Sequence, residues 1–149
     1  MSLNIKKVQF EHLTSEALYG ILNLRLEVFL VEQKIFYVDT DFVDQKCMHY
    51  YIEDKGRVVS YLRLIPPGVK CSEYSIGRVV TDHAYRNKGL SSRLINEALK
   101  DVIGNPVRIH GQAYLQDFYE HLGFVTEGEP FIEEEILHYD MLHKNQDNK

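Results

Sequence analysis

The sequence predicts one domain, spanning residues 1–149, of the mixed α/β (α+β) class, with a mostly antiparallel central sheet flanked by helices. Three observations lead to this prediction. The chain has 149 residues, which gives room for one hydrophobic core and little more. Hydrophobic residues make up 44% and charged residues 26%, as is usual for a globular protein. Short runs of β-branched and aromatic residues alternate with stretches whose apolar residues recur at helical spacing.

The first half of the chain predicts three strands and one helix. Residues 4–10 form a weak strand, and the leucines of residues 16–31 recur at helical spacing, which predicts a helix. Residues 34–46 are aromatic and acidic without periodicity, which is typical of a loop that contacts substrate. Residues 48–53 and 57–65 read as two strands, and the Asp-Lys-Gly turn between them predicts a hairpin.

The second half predicts a crossover and a closing pair of strands. A strand at residues 75–80 precedes an amphipathic helix at 90–102, and a buried strand at 107–112 follows. The remaining predicted elements are a short helix at 114–122, strands at 124–127 and 136–142, and a frayed polar tail at 143–149. The order is therefore βα-βββ-α-β-α-ββ, and at least one connection must cross over the sheet.

Charge and composition argue against several classes of partner. The 17 basic residues are scattered and outnumbered by 22 acidic residues, which gives a net charge of −5. Nucleic-acid binders carry a basic stripe, so neither a nucleic acid nor an anionic membrane is expected as a partner. The chain has no apolar stretch of membrane-spanning length and no signal-peptide pattern, so we expect a cytoplasmic protein. Cys47 and Cys71 lack the spacing of a metal site, so no metal and no disulfide is predicted.

The most informative segment lies between the strand that ends at Val80 and the following helix. It contains two basic residues, a glycine and a small residue in the run Arg86, Asn87, Lys88, Gly89, Leu90 and Ser91. A helix N-terminus has about four unpaired N–H groups and about half a positive charge, so it can bind a diphosphate if no side chain blocks it. The two common phosphate-loop patterns are absent. The alternative interpretation is an ordinary turn with a solvated basic face.

A second segment follows the predicted strand at 107–112. Leu115, Phe118, Tyr119 and Leu122 recur on one face of a short helix, and Gly123 is suited to end it. Taken alone, Tyr119 could simply be an aromatic residue of the hydrophobic core.

In combination, the two segments resemble the GNAT superfamily of N-acetyltransferases. Its acetyl-CoA pyrophosphate motif, [Arg/Gln]-x-x-Gly-x-[Gly/Ala], is matched by Arg86 and Gly89, and Ser91 departs from it with a side chain that is still small. Its later motif is matched, with Gln112 where Asn is usual, by Phe118, Tyr119, Gly123 and Phe124. The resemblance implies the acyl-CoA N-acyltransferase fold of that superfamily.

The ElaA-type subgroup is a closer resemblance, which spans most of the chain. The matching features are residues 18–33, Tyr37, Asp41, Asp44, His49, residues 76–79, Gln112, His138 and Met141. Phe42 and Val43 stand where the subgroup tends to have a Gly-Asp pair, so the loop and the substrate preference are expected to differ.

The resemblance implies direct transfer of an acetyl group from acetyl-CoA to a neutral amine. Tyr119 would be the general acid, since a phenol with a pKa near 10 stays protonated at neutral pH and can protonate a thiolate. The backbone of Val79, Val80 and Thr81 would pair with the pantetheine arm. The other residues expected to bind the coenzyme are Arg86, Asn87, Lys88, Gly89, Leu90, Ser91, Gln112 and Phe118.

The base and the acceptor stay open at this point. Candidates for the base or the substrate site are Glu32, His49, His110 and His138, and an ordered water relay would also serve. Asp39, Asp41 and Asp44 could attract a cationic amine, or they could be an ordinary solvated loop.

We therefore expect an N-acetyltransferase that acts on a small primary amine such as an amino acid or a polyamine. The alternatives are a protein or peptide N-acetyltransferase and a non-catalytic acyl-CoA-binding regulatory module. A homodimer is left open, because members of the superfamily often dimerise.

Overall fold

The structure, a computed structural model, describes residues 3–147, and its elements occur in the predicted order. The strands are β1 Ile5–Gln9, β2 Met48–Asp54, β3 Arg57–Ile65, β4 Tyr74–Thr81, β5 Val107–Gln112, β6 Val125–Glu133 and β7 Ile136–His143. The α-helices are α1 Ser15–Arg25, α2 Leu90–Asp101 and α3 Gln116–His121.

The strands form one sheet with the order β1-β2-β3-β4-β5-β7-β6. All neighbouring strands are antiparallel except β4 and β5, which are parallel. Parallel neighbours need a crossover, and α2 lies between these two strands in the chain. The predicted mixed α/β class, the mostly antiparallel sheet and the crossover are confirmed.

Both faces of the sheet are covered by apolar side chains. On one face, Leu94 and Ile95 of α2 pack with Tyr119 of α3 in the larger core cluster. A smaller cluster places Ile21 and Leu24 of α1 against the strands. The amphipathic stripes read from the sequence are the surfaces that make these contacts, because burial of apolar area favours this packing.

The first helix differs from its prediction. The sequence predicts one regular helix over 16–31, but the α-helix ends at Arg25 and residues Leu26–Glu32 form a π-helical segment. The N–H of Gln33 accordingly donates to the carbonyl of Val28, five residues earlier, at 2.8 Å. Apolar spacing does not distinguish the two kinds of helix, and π-helical turns often occur at functional sites.

The end of the chain also differs from its prediction. His143 belongs to β7, and Asn145 is only 2% exposed. The Asn145 amide donates to the carbonyls of Leu99, at 2.9 Å, and Val102, at 3.1 Å. These bonds satisfy carbonyls at the end of α2, so the prediction of a frayed tail is wrong for residues 143–145. Residues 148 and 149 of that predicted tail lie outside the described residues.

Candidate functional site

A gap in the sheet forms the centre of the candidate site. The pairing of β4 with β5 ends at Ile76 and Ile109. Just beyond, the β3–β4 register shifts between Tyr61 and Arg63, so two residues of β4 oppose one of β3. One of the two, Arg78, has a φ of 53°. A bulge bends its strand, so the second half of β4 diverges from β5 and a cleft opens between them.

The cleft belongs to a cavity of about 600 Å³. Most of the residues that the sequence assigned to a site line it, namely Asp39, Val79, Val80, Thr81, Arg86, Asn87, Gly89, Leu90, Ser91, His110, Gln112, Phe118, Tyr119 and His138. The other assigned residues are not part of its lining, namely Glu32, Asp41, Asp44, His49 and Lys88.

Tyr119 and the two histidines reach the cavity from opposite faces of the sheet. A Cβ atom added to Gly111 would lie 2.8 Å from two carbons of the Tyr119 ring, so the missing side chain lets that ring lie against β5. Successive residues of a strand face opposite sides, so His110 points to the other face. His138 pairs with Gln112 in the β5–β7 register and shares that face. The cavity therefore connects the α3 face with the histidine face.

The N-terminus of α2 has the geometry expected for an anion site. Gly89 precedes the helix with a φ of 75°, and apart from its neighbours in the chain no atom of the described residues lies within 4 Å of the position that its Cβ would occupy. The Ser91 hydroxyl is 2.7 Å from the Thr81 hydroxyl. The Ser91 side chain, which departs from the Gly or Ala of the motif, is therefore held by a hydrogen bond to β4. The N–H groups of the first turn are thus accessible from the cavity, which fits a diphosphate.

Arg86 does not offer the free charge that the sequence suggested. Its guanidinium donates to both carboxylate oxygens of Glu32, at 2.6 and 2.8 Å, and to the carbonyl of Thr81 at 3.0 Å. The Arg86 hydrogen bond lowers the pKa of Glu32. Glu32 is therefore a weaker proton acceptor than an ordinary carboxylate and does not line the cavity, and both observations disfavour it as the base.

The end of the π-helical segment also contacts the opposite wall of the cleft. Gln112 on β5 donates to the side-chain oxygen of Gln33 at 3.0 Å. Because Glu32 binds Arg86 on the α2 side, residues 32 and 33 span the cleft; we call this pair the strap. The strap explains why a glutamine at position 112 is accommodated. Lys88 lies with its ammonium 5.5 Å from the centre of the Tyr85 ring and outside the lining of the cavity, so its contact with the coenzyme stays a prediction.

Tyr119 is both a core residue and a cavity residue. It is 4% exposed and packs edge-on against Phe118 and Phe124. Burial raises the pKa of the phenol, because an ionised oxygen would lose its solvation there. The hydroxyl makes no hydrogen bond to the described part of the chain. Tyr119 is therefore protonated and has a donor available to a molecule in the cavity.

The acidic loop binds arginines rather than solvent. Asp44 accepts from the Nη1 atoms of Arg25, at 2.8 Å, and Arg63, at 2.9 Å. Arg25 is fully buried and Arg63 is 1% exposed. Arg63 also donates to both carboxylate oxygens of Asp41 at 2.8 and 2.7 Å. These contacts lower the pKa of both aspartates against the opposing effect of burial.

The remaining aspartate of the loop is paired in the same way. Asp39 accepts from Nε of Arg25 at 2.7 Å and from Nε of Arg78 at 2.8 Å. The three aspartates and three arginines form what we call the loop network. Its negative charges are matched by the buried Arg25 and Arg63 and by the half-buried Arg78, so the hypothesis that this loop attracts a cationic amine is corrected.

His49 has a structural role. It is fully buried, its Nε2 lies 2.8 Å from the carbonyl of Asp44, and its Nδ1 lies 2.6 Å from the hydroxyl of Tyr61. Since a carbonyl only accepts, Nε2 carries the proton and Nδ1 accepts from the tyrosine. Burial lowers the pKa of His49. Both nitrogens are occupied away from the cavity, so the assignment of His49 as a base is corrected.

His110 and His138 come together around a carboxylate that the sequence interpretation missed. Glu133 lies 3.5 Å from Nδ1 of His110 and 3.9 Å from Nε2 of His138, and all three residues line the cavity. We call these three residues the acceptor-end cluster. In the sequence, Glu133 belongs to a run of three glutamates. The alternation of β6 could have indicated that it shares the Phe131 face and not that of Glu134.

The state of the cysteines and the membrane-spanning potential of the helices can also be compared with the sequence predictions. Both cysteines are free thiols, and burial raises the pKa of Cys47 to about 11, so this thiol is a poor nucleophile at neutral pH. Across residues 3–147, no helix has the length and apolar character needed to cross a membrane.

Comparison with known proteins agrees with this geometry. The family described as acetyltransferase (GNAT) domain matches residues 21–144. Escherichia coli ElaA is 31% identical over 135 residues, which cover 87% of this chain and 88% of that protein. The ElaA crystal structure superposes with a TM-score of 0.88 at 28% identity, covering 95% of this chain and 99% of that one.

Two other solved structures extend the comparison. An acyl-CoA N-acyltransferase from Pseudomonas aeruginosa has a TM-score of 0.89 at 36% identity, covering 95% of this chain and 99% of that one. An aminoglycoside 6'-N-acetyltransferase in complex with coenzyme A has a TM-score of 0.69 at 14% identity, covering 92% of this chain and 95% of that one. The second likeness concerns the fold alone.

Proposed function

This chain belongs to the GNAT acetyltransferase family, in its ElaA-like subgroup, and from that premise we propose that it transfers an acetyl group from acetyl-CoA to the primary amine of a small molecule. The observation that carries the proposal is the cavity that passes through the sheet. It connects the N-terminus of α2 with the acceptor-end cluster, and Tyr119 lies in its wall.

The residues at the α2 end fit the coenzyme. The N–H groups that open α2 would bind its diphosphate, with the bare backbone of Gly89 allowing close approach. The unpaired edge of Val79, Val80 and Thr81, where β4 leaves β5, would bind the pantetheine arm. When bound, the coenzyme supplies an acyl thioester. The coenzyme A complex of the aminoglycoside acetyltransferase, which shares the fold, supports this assignment.

Tyr119 would act at the thioester. Its phenol is protonated and has no competing partner in the described residues, so it can donate to the sulfur as the C–S bond breaks. Phe118 and Phe124 pack edge-on against the Tyr119 ring and hold the phenol in position beside the cavity.

A small acceptor fits better than a protein chain. The strap crosses the cleft, and the cavity holds about 600 Å³, which is within the usual size range of small-molecule sites.

The test is acetyl-CoA turnover by Tyr119→Phe, measured as thiol release with a panel of amines and with product masses. We expect turnover to fall about 10²- to 10⁴-fold while acetyl-CoA affinity is retained, because only the proton donor is removed. A regulatory module would release no thiol in either form. A Tyr119→Phe variant as active as the wild type would contradict the assignment of Tyr119 as the general acid.

We propose a cytoplasmic location for the protein. Both cysteines are free thiols, which suits a reducing compartment. Formation of a homodimer stays a prediction from the resemblance.

A further inference from the structure

We propose that His138 is the base of the reaction and that Glu133 and His138 together bind the acceptor as its ammonium form. This inference rests on the proposed function and identifies its acceptor subsite. It follows from hydrogen-bond geometry at His138 and Glu133, on the histidine face of the cavity.

The tautomer of His138 is set by the backbone. Nδ1 of His138 lies 2.7 Å from the carbonyl of Ile136. A carbonyl can only accept, so Nδ1 carries a proton, and in the neutral ring Nε2 holds a lone pair. The ring is also held in place by stacking on Phe131, with centroids 5.9 Å apart. The orientation of the Nε2 lone pair is therefore fixed before any substrate arrives.

Within residues 3–147, no group donates a hydrogen bond to the Nε2 atom of His138. Its neighbour across the hairpin is a carboxylate oxygen of Glu133 at 3.9 Å, which is too long for a hydrogen bond. Two acceptors at this separation can both accept from one nitrogen that carries several protons. A primary ammonium has three N–H groups, so it can donate to both atoms at once at about 2.8 Å.

The other histidine of the acceptor-end cluster is less suited to accept a proton. Nδ1 of His110 faces Glu133 at 3.5 Å, and its Nε2 faces Asp140 at 3.9 Å. The glutamate raises the pKa of His110, and His110 in turn lowers the pKa of Glu133. His110 thus keeps Glu133 ionised, which is the form that binds an ammonium.

Glu133 is the carboxylate that lies beside Nε2 of His138, and it makes no salt bridge to an arginine or lysine within the described residues. Charged groups at this end of the cavity, besides the two histidines, are Glu133, Glu134, Asp140, Arg108 and Lys70. Arg108 donates to Asp140 at 2.7 Å and also binds Glu73 and Glu127, so that aspartate is already paired. The side chain of Glu133 is 46% exposed, which leaves it open to a ligand.

The proton steps balance. One N–H proton of the ammonium passes to Nε2 of His138, and the lone pair of the neutral amine forms the C–N bond as the C–S bond breaks. Tyr119 donates its proton to the sulfur. A second proton leaves the nitrogen and, through solvent, restores the phenol, so the net reaction releases one proton by way of His138.

The test is the His138→Asn variant, because the asparagine amide can donate to the carbonyl of Ile136 as Nδ1 does but offers nothing in place of Nε2. We expect kcat to fall about 10²- to 10⁴-fold with acetyl-CoA affinity unchanged. We also expect the acid limb of the pH profile of kcat/KM to disappear. The matched control is His121→Asn on α3, an exposed histidine outside the cavity, which should leave both readouts unchanged.

A second variant tests the ammonium site without changing His138, so its result does not depend on whether the His138→Asn variant folds correctly. Glu133→Gln should raise KM for the amine about tenfold or more, because a charged hydrogen bond is lost, while KM for acetyl-CoA stays the same. If the wild type transfers acetyl groups and His138→Asn keeps its kcat and its acid limb, the inference is wrong and the proposed function stands. If the wild type binds acetyl-CoA but acetylates no amine, both are wrong.

Discussion

The loop network and the acceptor-end cluster both combine carboxylates with basic side chains, but they differ in how many hydrogen bonds are left to make. In the loop network, Asp44 alone accepts from two buried arginines at 2.8 and 2.9 Å. In the acceptor-end cluster, the contacts of Glu133 with the histidines are 3.5 and 3.9 Å long. The carboxylates of the loop network are all paired at hydrogen-bond distance, although Nε of Arg63 has no partner in the described residues, whereas the carboxylate of Glu133 has only these longer contacts.

This difference shows that an acidic segment does not by itself indicate a site for a cation. The acidic loop at 34–46 attracts attention in the sequence, but its charges are used to hold the loop over the sheet. Glu133 is not singled out by the sequence, yet it lines the cavity and its carboxylate oxygens can still accept hydrogen bonds from a ligand. A buried charge without a partner is costly, so saturation is expected in the core, and unsatisfied acceptors are expected where a ligand binds.

The largest effect should come from breaking the loop network. Asp44→Asn removes the charge that lies between Arg25 and Arg63, both of which are buried. We expect the free energy of unfolding to fall by about 3–5 kcal/mol, since a buried charge is left uncompensated. Urea unfolding followed by circular dichroism measures this change.

The matched variant in the other region is Glu133→Gln, which should change the free energy of unfolding by less than about 1 kcal/mol, because half-exposed pairs contribute little. Equal losses for the two variants would remove the distinction between the regions. The difference in the free energy of unfolding between the wild type and Asp44→Asn should also become smaller at acid pH. The folded-state pKa of Asp44 is lowered, so its stabilisation is present above the unfolded value of about 3.9 and is lost as the pH falls through the folded value.

The smallest effect should come from the strap. Glu32 is paired like the carboxylates of the loop network, although it lies at the surface. We expect Glu32→Gln to keep kcat within about threefold of the wild type and to leave the pH profile unchanged, because the residue does not reach the cavity and exposed ion pairs are weak.

Thiol release across pH measures this outcome, with Glu27→Gln on the exposed side of the π-helical segment as the control. A loss of 100-fold or more with a displaced acid limb would show that Glu32 is the base, and it would contradict the assignment of His138.

The strands, the helices and the crossover could be predicted because their signals are local. Apolar periodicity and turn residues locate the hairpin of β2 and β3 and the crossover helix α2 to within about two residues. The π-helical turn escaped prediction, since its apolar spacing resembles that of an α-helix. The bulge at Arg78 escaped as well, because nothing in the sequence marks an arginine for a positive φ.

The parts of the site that are formed by local backbone could be predicted from the sequence. The parts that depend on ion pairs between distant residues could not. Gly89 at the start of α2 is a local feature, and the structure places it in the cavity wall. The partners of the acidic loop come from Arg25, Arg63 and Arg78, which are distant in sequence. The same limit explains why Arg86 was taken for a free charge, because its partner Glu32 lies far back in the chain.

The most direct test of the account is a calorimetric titration of acetyl-CoA into Gly89→Asp and Gly89→Asn. Both residues tolerate the positive φ of this position and have room for their side chains, but only aspartate places a negative charge where the diphosphate would bind. The account predicts one site per chain in the wild type, a moderate loss of affinity in Gly89→Asn, and a further loss of about tenfold or more in Gly89→Asp. Equal affinity in the two variants, or no binding to the wild type, would contradict it.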